Sequence, residues 1–237
     1  MVLDVLSARH GSAPVNMATD FLLLQRYPRH DHARFRHYGW HRPAFTFGYS
    51  QKIAWVRAQL ASIEGIELAR RPSGGGLVDH RDDWTYALVL PRNHPIYDVR
   101  AVESYRTIHT ALADVLRRLG CPAEVKTHCE PRADTAGCGP AGVCFDRAEL
   151  FDLEHAQTHA KLAGAALKRN QRGLLFQGSI SRAACGALDW DRLSEELPEQ
   201  LARILDTTAQ ASGWPDFEEE LDLLTEQYAS PEWLEQR

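Results

Sequence analysis

Three stretches of the chain hold residue types that can act on a substrate. Arg70-Arg71-Pro72-Ser73-Gly74-Gly75-Gly76 joins two guanidinium groups to three consecutive glycines. Glycine backbone reaches positive φ and allows close approach of a ligand, while arginines match a carboxylate or phosphate. The run fits neither the G-x-x-x-x-G-K-[ST] phosphate loop nor the dinucleotide pattern G-x-G-x-x-G, and a tight turn with surface arginines is an equal reading. Lys161, in His159-Ala160-Lys161-Leu162-Ala163-Gly164-Ala165, stands among small and apolar residues. Burial there is costly unless the ammonium holds a carbonyl or phosphate oxygen; the alternative is a solvated lysine. Cys144, in Gly142-Val143-Cys144-Phe145-Asp146, follows a loop containing glycine. A lysine nearby would raise its thiolate fraction and make it a nucleophile; the alternative is a small buried hydrophobe.

Metal chemistry is a weaker reading of the same region. His128, Cys129, Cys138 and Cys144 lie close together, and His155 and His159 follow. Structural zinc sites place two ligands on one tight turn, whereas the cysteine spacings here (129 to 138, 138 to 144) offer no such knuckle, so no metal is expected.

The elements that must position these residues follow from periodicity. Val15, Ala18, Phe21, Leu22 and Gln25 recur at helical spacing within Pro14 to Tyr27. Arg34 to Trp40 and Ala44 to Tyr49 read as strands joined by a turn at His41-Arg42-Pro43. Trp84 to Leu90, dense in aromatic and β-branched residues and closed by Pro91, reads as a buried central strand. Ala101 to Leu119 carries a 3.6-residue stripe that includes His109 and stops at Gly120, so it reads as a helix with a core histidine. Glu130 to Gly142 lacks periodicity and reads as a long loop of the kind that often carries function. Glu149 to His155, His159 to Ala166 and Gly173 to Ser181 read as strands. The last third reads as helical and acidic, with Glu218-Glu219-Glu220 on a solvated face. This order predicts an α+β fold, a mixed β-sheet with helices packed on one side, in a single domain over residues 1–237.

Composition narrows the function classes. At 44% hydrophobic and 25% charged, the 237-residue chain is ordinary globular material rather than disordered or fibrous. Its 32 acidic residues outnumber 27 basic ones, which argues against a nucleic-acid partner. No run approaches the roughly 20 apolar residues of a membrane span. Met1-Val2-Leu3-Asp4-Val5 has an acid where a signal peptide would be basic and then apolar, so the protein is expected in the cytoplasm, away from membranes. Four of the five cysteines (Cys121, Cys129, Cys138, Cys144) lie within one short stretch and are expected as thiols there.

Taken in order, eight blocks form a pattern. They are Asn16-Met17-Ala18-x-Asp20, Tyr38-Gly39-Trp40, Phe47-Gly48-Tyr49-Ser50-Gln51, R-R-P-S-G-G-G-L-V-D-H at 70 to 80, Val143-Cys144-Phe145-Asp146, K-L-A-G-A-A at 161 to 166, Gln177-Gly178-Ser179-Ile180 and Tyr228-Ala229-Ser230-x-Glu232-Trp233. In these the chain resembles the lipoate-protein ligase and octanoyltransferase superfamily from about residue 10 onward. The resemblance implies the fold of the biotin/lipoate protein ligase catalytic domain. The nearest likeness is to octanoyltransferases of the Gram-positive type, whose C-F-D cysteine accepts the acyl group.

That likeness implies catalytic roles for Cys144 and Lys161. The Cys144 thiolate would take an octanoyl (or lipoyl) group from an acyl carrier protein, and Lys161 would hold the carbonyl oxygen. A lysine of a lipoyl domain or H protein would then accept the acyl group. Arg70, Arg71, Ser73, Gly74, Gly75, Gly76, His80, Gly164, Gln177, Gly178 and Ser179 would bind substrate, with Arg70 to Gly76 and His80 walling the acyl pocket. No cofactor is implied for this route. Two departures keep an ATP-dependent ligase open as the alternative: the G-G-G form is typical of ligases, and Gln177 stands where the family usually has His. A ligase would need ATP and Mg and would form a lipoyl-adenylate held by the Arg70 to Gly76 loop and Lys161. The lack of the ligases' common accessory C-terminal domain leans toward the transferase. A non-catalytic protein that binds lipoyl domains or acyl carriers is a third reading. A bulky side chain at Gly75 is expected to block long acyl groups in a transferase and to abolish all activity in a ligase.

Overall fold

The computed structural model describes residues 1–128 and 148–236. The chain opens with a long strand, β1 (Val2–Gly11), followed by helix α1 (Ala13–Gln25), β2 (Ala33–Trp40) and β3 (Ala44–Phe47). Next come α2 (Ile53–Gln59), β4 (Glu67–Arg70), β5 (Leu77–Asp79) and β6 (Asp83–Pro91). After α3 (Ala101–Arg118) lie β7 (Ala123–Val125), β8 (Leu153–His155), β9 (Lys161–Asn170) and β10 (Gly173–Ser181). The remainder is α4 (Arg182–Cys185), α5 (Trp190–Ile204), β11 (Thr208–Ser212), α6 (Glu218–Ala229) and α7 (Pro231–Leu234).

Eight strands form one sheet in the order β11-β1-β2-β6-β10-β9-β8-β7, and a smaller sheet runs β4-β3-β5. The large sheet is mixed: β1 is parallel to both β11 and β2, while β6, β10, β9 and β8 run antiparallel to their neighbours. β6 lies between β2 and β10, the central place its composition predicts. Its side chains alternate: Trp84, Tyr86, Leu88 and Leu90 face the core shared with α3 and α5, and Ala87 and Val89 face the core built on α1. A strand apolar on both faces needs cover on both.

Helices therefore cover both faces, not one as the order of elements suggested. The reading of β2 and β3 as neighbouring strands also fails: they belong to different sheets, and His41-Arg42-Pro43 carries the chain between them. Only Leu153–His155 of the predicted strand at Glu149 to His155 is extended. β1 and β11, absent from the sequence reading, form the sheet's far edge. α1 begins as its sequence dictates, with the Ser12 hydroxyl accepting from the Val15 N–H and Pro14 in the first turn. α3 ends before Gly120, whose φ of +94° is the left-handed stop. Glu218, Glu219 and Glu220 are exposed. Among the described residues, no helix is long and apolar enough to cross a membrane. The predicted loop at Glu130 to Gly142 lies outside the described residues, and so do Cys129, Cys138 and Cys144. Cys121 is a buried free thiol.

Candidate active site

β9 and β10 form an antiparallel pair in which Gly164 faces Ser179 and Ala165 faces Gly178. Beside them lies a cavity of about 350 Å³, large enough for a small-molecule substrate. Lys161, Gly164, Gln177, Gly178 and Ser179 line it from these two strands. From the Gly-rich segment come Arg71, Gly75, Gly76 and His80. Apolar wall is supplied by Met17, Val78, Val102, Leu150, Ala165 and Ala166. Nine of the predicted site residues thus share one cavity wall, while Arg70, Ser73 and Gly74 stand outside its lining.

The Lys161 ammonium lies 2.6 Å from the Asp152 carboxylate, and both side chains are almost fully buried. A desolvated ion pair holds its geometry tightly, because separating the partners would leave a buried charge. The solvated-lysine reading is thereby removed. Gly164 makes room for the pair: a Cβ there would sit 3.0 Å from Lys161 Cε and Nζ and from Asp152 Oδ1. Asp152 is itself fixed, since its Oδ2 accepts the Glu149 N–H at 2.8 Å. The preceding residue, Phe151, has a φ of +66°, and its carbonyl accepts from His109 Nδ1 at 2.5 Å. Because a carbonyl only accepts, Nδ1 carries the hydrogen. Burial pulls the His109 pKa down, which keeps the ring neutral. His109 is thus a core histidine, as its place in the stripe predicted.

The two arginines have separate tasks. Arg70 donates to the carbonyls of Tyr49, Gln51, Trp233 and Leu234, so it ties the Gly-rich segment to α7. Arg71 donates to Thr46 Oγ1 at 2.8 Å and to the carbonyls of Gly74 and Gly76. Surface arginines on a simple turn are therefore not what the segment contains. Gly75 has a φ of +90°, and a Cβ there would lie 3.0 Å from Arg71 Nη2. Any side chain at Gly75 strains the backbone before it narrows the cavity, so bulky substitution cannot isolate chain length.

Two hydrogen-bonded groups complete the wall. In the first, the Ser73 hydroxyl donates to Gln177 Oε1 at 2.5 Å, and Gln177 Nε2 donates to Asp20 Oδ2 at 2.7 Å. Asp20 also accepts from Arg36 Nε at 2.7 Å and from the Tyr38 hydroxyl at 3.0 Å. In the second, His80 bridges Thr46 and Asp83, with Ser179 and Thr85 also on the Asp83 carboxylate. Burial raises the pKa of Tyr38 well above its ordinary value and that of Tyr105, also on the lining, to about 12. Sequence reasoning missed Thr46, Asp83 and Asp152 as wall or partner residues. Asp83 sits only three residues past His80 and was findable; Asp152 lies outside every quoted motif and carried no signal. Among the described residues, no group of three or more His, Cys, Asp or Glu side chains is placed to hold a metal ion.

Residues 12–210 match the model of the lipoyl protein ligase A/B catalytic domain. The chain belongs to that family. Among curated members, it is 32% identical over 179 residues to an octanoyltransferase LipM from Kyrpidia tusciae, a match covering 74% of this chain and 64% of the relative. It thus spans just under two thirds of that relative's length. An octanoyltransferase LipM from Exiguobacterium sp. is 30% identical over 239 residues, covering 85% and 86% of the two chains. Solved structures show the same family fold. A bipartite lipoate protein ligase from Thermoplasma acidophilum, studied with its E2 lipoyl domain, superposes with a TM-score of 0.74 at 19% identity, over 99% of this chain and 97% of that one. Lipoate-protein ligase A bound with ATP gives 0.72 at 20% identity, over 99% of both. The mixed sheet and its packed helices are thus those of the lipoyl ligase family.

Proposed function

We propose that the protein is an acyltransferase of protein lipoylation, acting in the cytoplasm with the whole chain as one catalytic unit. It moves an octanoyl (or lipoyl) group from an acyl carrier protein to a lysine of a lipoyl domain or H protein. The observation that carries this reading is the buried Lys161–Asp152 pair on a largely apolar cavity wall in a chain related to octanoyltransferases. A fixed ammonium in a site shielded from water stabilises the oxygen of an acyl group as negative charge develops on it. The Cys144 thiolate attacks the donor thioester, the carrier thiol leaves, and the acyl group rests on the cysteine until the acceptor amine displaces it. No cofactor enters this route.

The ligase alternative rests on the fold likeness to an ATP-bound ligase and on the Gly74-Gly75-Gly76 form. It would use ATP and Mg, with the Gly-rich loop and Lys161 holding carboxylate and phosphate. Against it, Arg70 is committed to four carbonyls of its own chain, and Arg71 points at Thr46, Gly74 and Gly76. Intact-mass measurement after mixing with octanoyl carrier protein decides between the routes. An octanoyl adduct that disappears in Cys144→Ser is expected; modification of the acceptor that needs lipoate plus ATP would establish the ligase. Binding without either reaction would leave a non-catalytic carrier.

A further inference from the structure

Amide formation on a lysine leaves one proton to be removed. The acceptor arrives as an ammonium with three N–H hydrogens: one stays on the amide nitrogen and one goes to the departing sulfur as the C–N bond forms and the C–S bond breaks. The third needs a base. An acyl-adenylate donor would impose the same need, so the question stands for either donor.

We infer that His80 is that base, with Thr46 passing the proton to it and Asp83 balancing the charge. The assignment deepens the acyl-transfer reading and rests on it. The unbroken chain of contacts Arg71–Thr46–His80–Asp83 carries the inference. Arg71 Nη1 donates to Thr46 Oγ1 at 2.8 Å, and the threonine's own hydrogen stays available to His80 Nε2, 2.7 Å away. On the other side of the ring, Asp83 Oδ2 lies 2.7 Å from His80 Nδ1 and takes its hydrogen. In that arrangement the Nε2 lone pair faces, through one hydroxyl, a cavity that both Thr46 and His80 line. A proton entering at Thr46 moves to Nε2, and the imidazolium meets a carboxylate already in contact.

Asp83 is held for this task by Ser179 and by Thr85, whose hydroxyl lies 3.0 Å from both carboxylate oxygens. Trp40 stacks on the imidazole with ring centroids 4.2 Å apart and donates to Thr85 Oγ1 at 3.0 Å. The neighbouring Arg81 turns away to Asp79. Other titratable groups on the lining are poorer bases. Lys161 and Arg71 are cations, Asp152 is paired with Lys161, and burial holds Tyr38 and Tyr105 protonated. Among the described residues, Glu149 is the remaining carboxylate on the lining.

The test separates loading from transfer. Wild type, His80→Asn, Thr46→Val, Thr46→Ser and Glu149→Gln are loaded with octanoyl carrier protein, and discharge is timed with a lipoyl-domain acceptor and with hydroxylamine, an amine neutral at pH 7. His80→Asn and Thr46→Val should load normally and discharge hydroxylamine like wild type, yet transfer to the protein lysine about 100-fold more slowly, the lower end of general-base effects. Thr46→Ser should restore transfer, and Glu149→Gln should slow it less than His80→Asn does. Equal slowing with both amines, or wild-type transfer by Thr46→Val and His80→Asn, would overturn the relay; a loss confined to Glu149→Gln would give the role to that carboxylate. If wild type loads only with lipoate and ATP, the acyl-cysteine reading fails by itself. The same two discharges from the adenylate-loaded protein then judge the relay.

Discussion

Arg70 and Arg71 are adjacent, equally buried and read identically in the sequence, yet they serve different regions of the molecule. Arg70 faces the C-terminal end, where four backbone carbonyls from residues 49, 51, 233 and 234 converge on it. Arg71 faces the cavity, bracing Thr46 and the turn at Gly74 to Gly76. Successive residues on an extended backbone point to opposite sides, so the second arginine inherits the chemistry and the first the architecture. A pair of like residues in a motif is therefore two different devices.

Replacing Arg70 should sharpen this contrast most. Arg70→Met removes a buried cation and strands the carbonyls it satisfies, a loss of about 3–5 kcal/mol in stability by analogy with broken buried pairs. Urea unfolding should show it, and whatever protein remains folded should still acylate. Severe loss of acylation in fully folded Arg70→Met would place that residue in the site after all. Lys161→Ala should show in activity as well: about 2–4 kcal/mol of transition-state stabilisation should vanish from kcat/KM, the scale of one lost oxyanion donor, beside the stability lost by leaving Asp152 buried without its partner. An active Lys161→Ala enzyme would break the division between the two regions.

What the sequence made legible were elements whose pattern matches their burial. β6, α3 with its Gly120 stop, and β10 fall where their periodicity puts them, because one strong apolar pattern decides each. β1 was missed because Asp4, Ser7, Arg9 and His10 interrupt its apolar residues, and its partners, β2 and β11, are remote in sequence. The place of α1 and α6 on the second face was missed for a similar reason: the two helices join across the whole chain length, which no local window sees. At the site, motif order found the cavity wall, but it could not tell Arg70 from Arg71 or supply Asp152. Those distinctions depend on which way a side chain points.

Gly164→Ala tests how closely the lysine end of the cavity is fitted. The added methyl would meet Lys161 Nζ and Asp152 Oδ1 at 3.0 Å, tight enough to displace the ion pair by a few tenths of an ångström while the strand pairing with Ser179 persists. A fall of about tenfold in kcat, equivalent to about 1.4 kcal/mol, with an unchanged melting temperature is the expected result. Unchanged kinetics would mean that the ammonium has slack and that its position matters less than its charge.

The smallest effect separates the two regions by pH. Burial lowers the pKa values of His37, His94 and His109, so the folded protein keeps these rings neutral. In the unfolded chain they titrate near the ordinary imidazole value of about 6.5. Below that pH the unfolded state binds protons that the folded state refuses, and stability must fall as pH drops from about 6.5 toward the lowered folded values. Asp4 works in a different window. Burial pushes its pKa up, but hydrogen bonds from Gln210, Tyr27 and His32 outweigh this and bring it below the usual carboxylate value. Its contribution is present above about pH 4 and disappears only in stronger acid. Melting temperatures from pH 8 to pH 5 should therefore decline in the upper window through the histidines alone. His109→Asn keeps a donor for the Phe151 carbonyl but cannot titrate, so it should melt lower at every pH with a shallower decline. An unchanged slope would show that His109 takes up its proton while folded, with the turn that holds Asp152 against Lys161 intact.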